Sequence, residues 1–294
     1  MKKFNRYRVN ASELPDLMTK EQGNTPPTEK ETDEFFKIIQ KDMVDITERQ
    51  KGIIMDVISK TANYDDNSFS ATMKKLMYKH YAYSQYKISK VSVSSEKPMQ
   101  LDKGEISEPA AIKLLSLADG VEYKKNDKLF SNPFFKGIPD IVVYDNEKIV
   151  GVKDIKAPLD FIEYLERVDG DLLKDDSWEM RAYLDILNLR SGEICYCLVN
   201  MPDELKDKIL SEHTDRLTLK GYTADHVKKL VKQIEKSMVY DYIPDNLKIR
   251  RFTVERKSWF TKQAHSRVKL LRQKMNRLHD KFINPVTLVE IPEQ

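Results

Sequence analysis

The chain has 294 residues, 40% apolar and 33% charged, with 9 Gly and 12 Pro; this suits a soluble, helix-rich protein of one large or two small domains and excludes collagen, a disulfide scaffold and wholesale disorder. No run approaches the roughly 18 apolar residues of a membrane span, and the start, MKKFNRYRVNASELPDLM, lacks the apolar core of a signal peptide, so a cytoplasmic location and no membrane partner are expected. The net charge of +3 divides unevenly: Lys248 to Lys281 holds twelve Lys and Arg against Glu255 and Asp280, a basic element on an acidic body, as a phosphate-bearing partner would require.

The first hundred residues read as helical. After a polar, Pro-containing stretch, GNTPPTEKETDE, apolar residues recur at helical spacing in FFKIIQKDMVDITERQKGIIMDVI and again in FSATMKKLMYKHYAYSQYKI, with Thr32 or Asp33 as a cap for the first helix. Met73, Met77 and Tyr81 form a stripe suited to a core, and His80 among them reads as a packed residue. From Leu101 the element types alternate. A helix in GEISEPAAIKLLSLA precedes the apolar segments IPDIVVY and KIVGVKDIK, joined through Asp145-Asn146-Glu147-Lys148, which is a hairpin signal. Helices in FIEYLERV and SWEMRAYLDILNL, a strand in EICYCLVN, two polar amphipathic segments near 203–212 and 224–238, a strand LKIRRFTVE and a basic helix near 258–280 follow. The expected organisation is an α/β core over 101–294 with a helical region, 1–100, packed on it. Cys195 and Cys197 are read as turned to opposite faces of their strand, buried and unpaired; two thiols fall short of the usual zinc or iron–sulfur set.

The informative stretch is GIPDIVVYDNEKIVGVKDIK, residues 137–156. A turn centred between Asn146 and Glu147 sets Asp140 opposite 153 and so beside Asp154. Opposed Cβ atoms in a hairpin lie about 5 Å apart, and two uncompensated carboxylates at that range raise each other's pKa unless a cation intervenes. A hard divalent cation is the natural occupant. Side chains alternate along a strand, so Asp154 and Lys156 share a face while Ile155 points into the core and offers its carbonyl nearby. Carboxylates, a divalent ion and an ammonium suit phosphodiester hydrolysis: the ion polarises the phosphoryl group and acidifies a bound water, and the ammonium orients that water or meets the developing charge.

Pro139-Asp140 followed by Asp154-Ile155-Lys156 resembles the signature of the PD-(D/E)XK nuclease superfamily. Lys103-Gly104-Glu105-Ile106-Ser107-Glu108, opening a helix, is similar to an element of the phage lambda-type exonuclease branch, and Ala11-Ser12-Glu13-Leu14 to the helix start that opens those enzymes. The resemblance implies a restriction-endonuclease-like core, a small mixed β-sheet flanked by helices, and metal-dependent cleavage of DNA in a bacterial or phage-infected cell. It implies Glu108, Asp140 and Asp154 as ligands of Mg²⁺ or Mn²⁺ with the Ile155 carbonyl, and Lys156 as the group acting on the attacking water. RecB-like relatives carry Gln-X-X-X-Tyr after the lysine strand; here the stretch is Glu179-Met-Arg-Ala-Tyr183, and an ionised glutamate donates no hydrogen bond. Glu179, Arg181 and Tyr183 are the DNA contacts expected there, with Lys103 on the earlier helix.

In the basic segment Val268, Leu271, Met275 and Leu278 are expected to dock, leaving Arg267, Lys274, Arg277 and Lys281 outward toward phosphates. No histidine has a partner at metal-ligand spacing, and none is assigned catalysis. The expected activity is exonucleolytic hydrolysis from double-stranded ends in phage recombination or replication. The alternatives are a structure-specific endonuclease and a non-cleaving DNA-binding accessory protein of the same fold. A single-strand annealing protein and further copies of the chain are the expected protein partners.

Overall fold

The computed structural model describes residues 3–19, 27, 29–41, 45–63, 70–87 and 99–284. In chain order these form β1 (Val9–Asn10), α1 (Leu14–Leu17), α2 (Glu29–Ile39), α3 (Glu48–Asn63), α4 (Ala71–Tyr86), α5 (Met99–Asp119), β2 (Phe130–Ser131), β3 (Phe135–Gly137), β4 (Ile141–Asp145), β5 (Lys148–Lys156) and α6 (Phe161–Asp169). Then come α7 (Lys174–Leu187), β6 (Ser191–Cys197), α8 (Asp203–Leu219), α9 (Ala224–Lys236), β7 (Ile249–Glu255) and α10 (Ser258–Ile283). Among the described residues no helix is long and apolar enough to cross a membrane. Two compact units emerge: Arg8–Pro15 with Val91–Lys262, and Met1–Tyr7 with Asp16–Lys90 and Gln263–Gln294. The expected boundary at residue 100 therefore differs on two counts. Residues 8–15 join the core, because β1 pairs in parallel with β3. From Gln263 on, α10 joins the N-terminal helices.

That second unit packs as its spacing predicts. Met73, Met77, Tyr81 and His80 are buried, with the Tyr7 hydroxyl 2.6 Å from His80 Nδ1. Val268, Leu271 and Met275 are fully buried. The long apolar run of residues 35–58 divides between α2 and α3, and residues 42–44 within it lie outside the described residues, as do 20–26 and 28 of the Pro-containing stretch. Helix α2 begins at Glu29, so Thr32 and Asp33 lie inside its first turns rather than capping it; Pro27 just upstream, with fixed φ and no N–H, suits a helix entry.

The other unit is built on a four-stranded sheet of order β4-β5-β6-β7. Strands β4 and β5 are antiparallel, β5 and β6 parallel, β6 and β7 antiparallel, so the sheet is mixed. The β4–β5 turn lies at Asn146 and Glu147, both with positive φ (46° and 68°), the primed geometry that matches strand twist. Next to it the register is the expected one, Asp145 opposite Lys148 and Tyr144 opposite Ile149. A bulge then shifts it: Val143 faces Gly151 and Ile141 faces Lys153. Extending the ladder by one pair sets Asp140 against Asp154 itself rather than against 153, one residue beyond the sequence-based register.

Both faces of the sheet are covered. On one, Ile141, Ile155, Cys195 and Cys197 pack with Ala111, Ile112, Leu114 and Leu115 of α5. The two cysteines thus share a face, contrary to the expectation that they oppose; a period of two puts residues i and i+2 on the same side. Both are free and buried, and burial pushes the Cys195 thiol up to about 12 and raises that of Cys197 as well, which disfavours the thiolate form. On the other face Val152, Asp154 and Ile194 lie toward α7. There the sheet and α7 approach so closely that a Cβ on Gly192 would sit 2.7 Å from Met180 Sδ and Val152 Cγ1. A small three-stranded sheet, β1-β3-β2, escapes sequence reading because its strands hold only two or three residues. Gly192→Ala is expected to lower unfolding free energy by about 1–3 kcal/mol through overpacking, measured by urea titration; an unchanged midpoint would contradict this packing of α7.

Candidate active site

The hairpin delivers its acidic residues to the sheet end where β5 stops. Asn126 fixes the approach: its backbone N–H donates to the Asp140 carbonyl (2.8 Å) and its side-chain amide donates to the Pro139 carbonyl (2.9 Å). Gly137 allows Tyr183 to come close, since a Cβ there would lie 2.7 Å from Tyr183 Cε1. A cavity of about 500 Å³ opens beside these residues, and Glu108, Asp140, Asp154, Lys156, Glu179 and Tyr183 all line it. Glu108 reaches it from the middle of α5, because the helix starts at Met99 and not at Gly104.

Within the cavity Lys156 is the central cation. Its Nζ lies 2.8 Å from Asp154 Oδ2, 3.0 Å from Glu179 Oε2 and 4.0 Å from Asp176 Oδ1. Tyr183 donates its hydroxyl to Glu179 Oε1 at 3.2 Å, and Tyr196 donates to Asp176. Asp140 Oδ2 accepts the Ile155 N–H at 2.6 Å. Glu108 Oε2 accepts from Lys125 Nζ at 2.7 Å. Burial pushes the Asp140 carboxyl up to about 6, opposed by the Ile155 N–H and the Lys156 charge. Burial also raises Asp154 well above the usual carboxylate range, with Asp140 and Glu179 adding to the shift and Lys156 opposing it. The ammonium of Lys156 is held well above the ordinary lysine value: Asp154, Glu179 and Asp176 outweigh its own desolvation.

The expected convergence of Glu108, Asp140, Asp154 and the Ile155 carbonyl is therefore looser than a finished metal site. Among the described residues no three His, Cys, Asp or Glu side chains are gathered tightly enough to hold a metal ion. Lys156 occupies the cationic place beside Asp154, and Ile155 meets Asp140 through its N–H. The donor set nevertheless fits a hard divalent cation. It is all oxygen, and Asp154 Oδ2 and Glu108 Oε1 are buried without a hydrogen-bond partner; the 2.8 Å approach of Lys156 to that Asp154 oxygen is an ion pair outside hydrogen-bond geometry.

No protein-family model and no curated protein sequence matches the chain. Among solved structures it is similar to a phage-related exonuclease from Haemophilus somnus 129PT, with a TM-score of 0.57, 16% identity, and 96% of this chain and 99% of that one covered. It is also similar to the alkaline exonuclease LHK-Exo from Laribacter hongkongensis, with a TM-score of 0.52, 12% identity and 96% of each chain covered. LHK-Exo in complex with dAMP gives a TM-score of 0.53 at 13% identity over the same shares. The chain has the fold of these exonuclease structures.

Within that nuclease fold the remaining expected contacts divide. Glu179 and Tyr183 lie in the cavity, where Glu179 serves Lys156 as a counter-charge. Asp176 and Tyr196 were not foreseen, although Asp176 sits three residues before Glu179 on the same helix face. Arg181 is outside the cavity lining, its guanidinium 4.1 Å from the Phe260 ring centroid. Lys103 and Arg267 are corrections, since both are buried. Lys103 Nζ donates to the Pro158 and Leu159 carbonyls at 2.6 and 2.9 Å, and Arg267 donates to the Leu17 and Thr19 carbonyls at 3.2 and 2.7 Å. Their charges tie backbone together and are not presented to phosphate. Lys274 is half-buried, while Arg277 and Lys281 are exposed.

Burial brings the Lys103 ammonium down to about 8, with Asp160 and Glu163 opposing the shift. The folded pKa lies below the unfolded one, so between about pH 8 and 10.5 the unfolded chain binds more protons and the Lys103 contribution to stability rises with pH. Denaturant titrations of wild type and Lys103→Met should give a stability difference that changes through this window and is flat below it. A difference flat throughout would contradict the burial of this ammonium.

Proposed function

We propose that the chain is a divalent-metal-dependent DNA exonuclease that hydrolyses phosphodiester bonds from duplex ends, in phage recombination or replication, with a single-strand annealing protein as a partner. The observation that carries this reading is one cavity lined by Asp140, half-buried, and Asp154, buried, with Lys156 of the same strand as Asp154 paired to it at 2.8 Å. The likeness to solved exonucleases supports it. Mg²⁺ or Mn²⁺ held by Glu108, Asp140 and Asp154, with the Ile155 carbonyl, would supply polarisation of the phosphoryl group and a more acidic water. The chain's own residues do the rest. Lys156 donates from Nζ to the attacking water or to the charge that develops on the phosphoryl oxygens. Glu179 and Asp176 hold that ammonium in place, and the Tyr183 and Tyr196 hydroxyls hold the two carboxylates. The hydrogen bond from Ile155 orients Asp140. Because Lys156 keeps its proton, it acts as a donor and electrostatic partner rather than as a base.

End-labelled linear duplex and covalently closed circular duplex, each incubated with Mg²⁺, test the reading. EDTA-sensitive nucleotide release from the linear form alone is expected. Asp140→Asn, Asp154→Asn and Lys156→Ala should each reduce it by about 100-fold or more while circular dichroism and thermal midpoint stay native-like. Full activity in all three variants would overturn the assignment. Opening of the closed circle would indicate the endonuclease, and absence of any cleavage the accessory protein.

Glu179 separates charge from hydrogen bonding. Glu179→Gln keeps an oxygen for Lys156 and should lower turnover less than Glu179→Ala, for which a misplaced lysine costs about 100-fold. Single-turnover rates make the comparison, and equal rates in the two variants would remove Glu179 from the positioning of Lys156.

A further inference from the structure

Helix α7 serves two sides of its unit. Glu179 and Tyr183 look into the cavity, whereas Trp178 and Arg181 meet the first turn of α10. There Phe260 is almost fully buried, its ring centroid 3.6 Å from that of Trp178 and 4.1 Å from the Arg181 guanidinium carbon. The preceding residue is the opposite case. Trp259 is 60% exposed, yet its ring meets Phe260 edge-on at 5.7 Å and 71°, so an exposed aromatic stands on a fixed base.

Its surroundings are basic. The Lys257 carbonyl accepts from the Phe260 and Thr261 N–H groups at 3.1 Å each, which fixes the start of α10. The side chains of Lys257 and Lys262 are exposed, and neither forms an ion pair among the described residues. Lys262 follows Trp259 by three positions and so shares its helix face. Arg256 next door is held by Asn188 (2.6 Å) and Asp185 (3.1 Å), which makes it part of the frame. A lone exposed tryptophan needs no explanation. One seated against a buried aromatic, between two lysines without ion pairs among the described residues, has the elements by which proteins hold single-stranded nucleic acid: a face for a base to stack on and cations for the adjoining phosphates.

We propose that Trp259, with Lys257 and Lys262, is a stacking platform for single-stranded DNA outside the catalytic cavity. The inference takes DNA as substrate from the nuclease reading above and adds a second point of contact for one strand. Duplex DNA presents its bases edge-on in the grooves, so the platform selects an unpaired segment.

The chain has only two tryptophans, and Trp178 is 8% exposed, so quenching by a stacked base falls on Trp259, and Trp259→Phe gives the Trp178 background. Full-length protein in EDTA is titrated with a dT oligomer of about 12 nucleotides. Quenching is expected in wild type and in Asp154→Asn, and none in Trp259→Phe, whose remaining tryptophan is buried. Anisotropy of labelled oligomer should show Trp259→Ala binding about fivefold or more weakly, with Trp259→Phe close to wild type. Replacing Lys257 and Lys262 by Ala should make the log affinity against log salt slope shallower by about 1.4. Quenching that persists in Trp259→Phe, unaltered affinity in Trp259→Ala, or equal quenching by an abasic oligomer of the same length would each overturn the platform. No quenching in wild type alongside duplex hydrolysis removes the platform alone. Quenching without hydrolysis retains the platform and removes the nuclease reading.

Discussion

Asp140 and Asp154 are drawn to the same sheet end by the β4–β5 ladder, Asp154 buried and Asp140 half-buried, so both lose water that would stabilise their charge. A fold cannot leave two such carboxylates uncompensated at this range. The compensation visible in the chain is the Lys156 ammonium, 2.8 Å from Asp154, and that one ion pair organises what surrounds it. Lys156 in turn draws Glu179 and Asp176, whose remaining oxygens take up the Tyr183 and Tyr196 hydroxyls. Three elements, β5, β6 and α7, are thereby joined through polar side chains, while Val152, Ile194 and Met180 join the same elements through apolar ones. The apolar contacts set how close α7 can come, and Gly192 lets it come that close.

The hairpin was legible because its information is local. Alternating apolar residues gave two strands, and Asn146-Glu147 gave the turn, which the positive φ of both residues confirms. The register failed one residue further out, at the bulge between Val143 and Tyr144. A bulge changes pairing without changing the apolar pattern enough to be read, so Asp140 was placed beside Asp154 rather than against it. The strands β1, β2 and β3 were illegible for another reason: pairs over two or three residues carry no periodicity, and the β1–β3 pairing joins residues more than a hundred positions apart. Asp176 and Tyr196 fall in the same class, polar residues whose role appears only when α7 and β6 lie side by side.

The basic segment shows where composition misleads. Twelve cations between Lys248 and Lys281 suggested a phosphate-binding surface, yet many of them serve the protein itself. Arg251 forks onto Asp119 at 2.5 and 3.1 Å, Lys248 pairs with Asp245 at 3.0 Å, and Arg272 donates to the Tyr7 carbonyl at 2.8 Å. Arg267 is the clearest case. It lies one position before Val268, yet both are buried, because a guanidinium that meets backbone carbonyls can enter where an unpaired one cannot. Helical periodicity ranks residues by polarity and cannot see such partners.

Cations and carboxylates set side by side neutralise each other. In the core unit the helix α7 keeps the two kinds of group apart by facing two ways. Its Asp176, Glu179 and Tyr183 side carries the negative charge of the cavity, and its Trp178 and Arg181 side braces the start of α10, near which Lys257 and Lys262 form no ion pair among the described residues. Residues 178 and 179 are adjacent in sequence, but about 100° of helical turn separates their side chains, so one short segment of chain fixes both environments. On the cavity side the Glu179 carboxylate strengthens the hold on Lys156, whereas a carboxylate placed directly against a phosphate would be repelled by it.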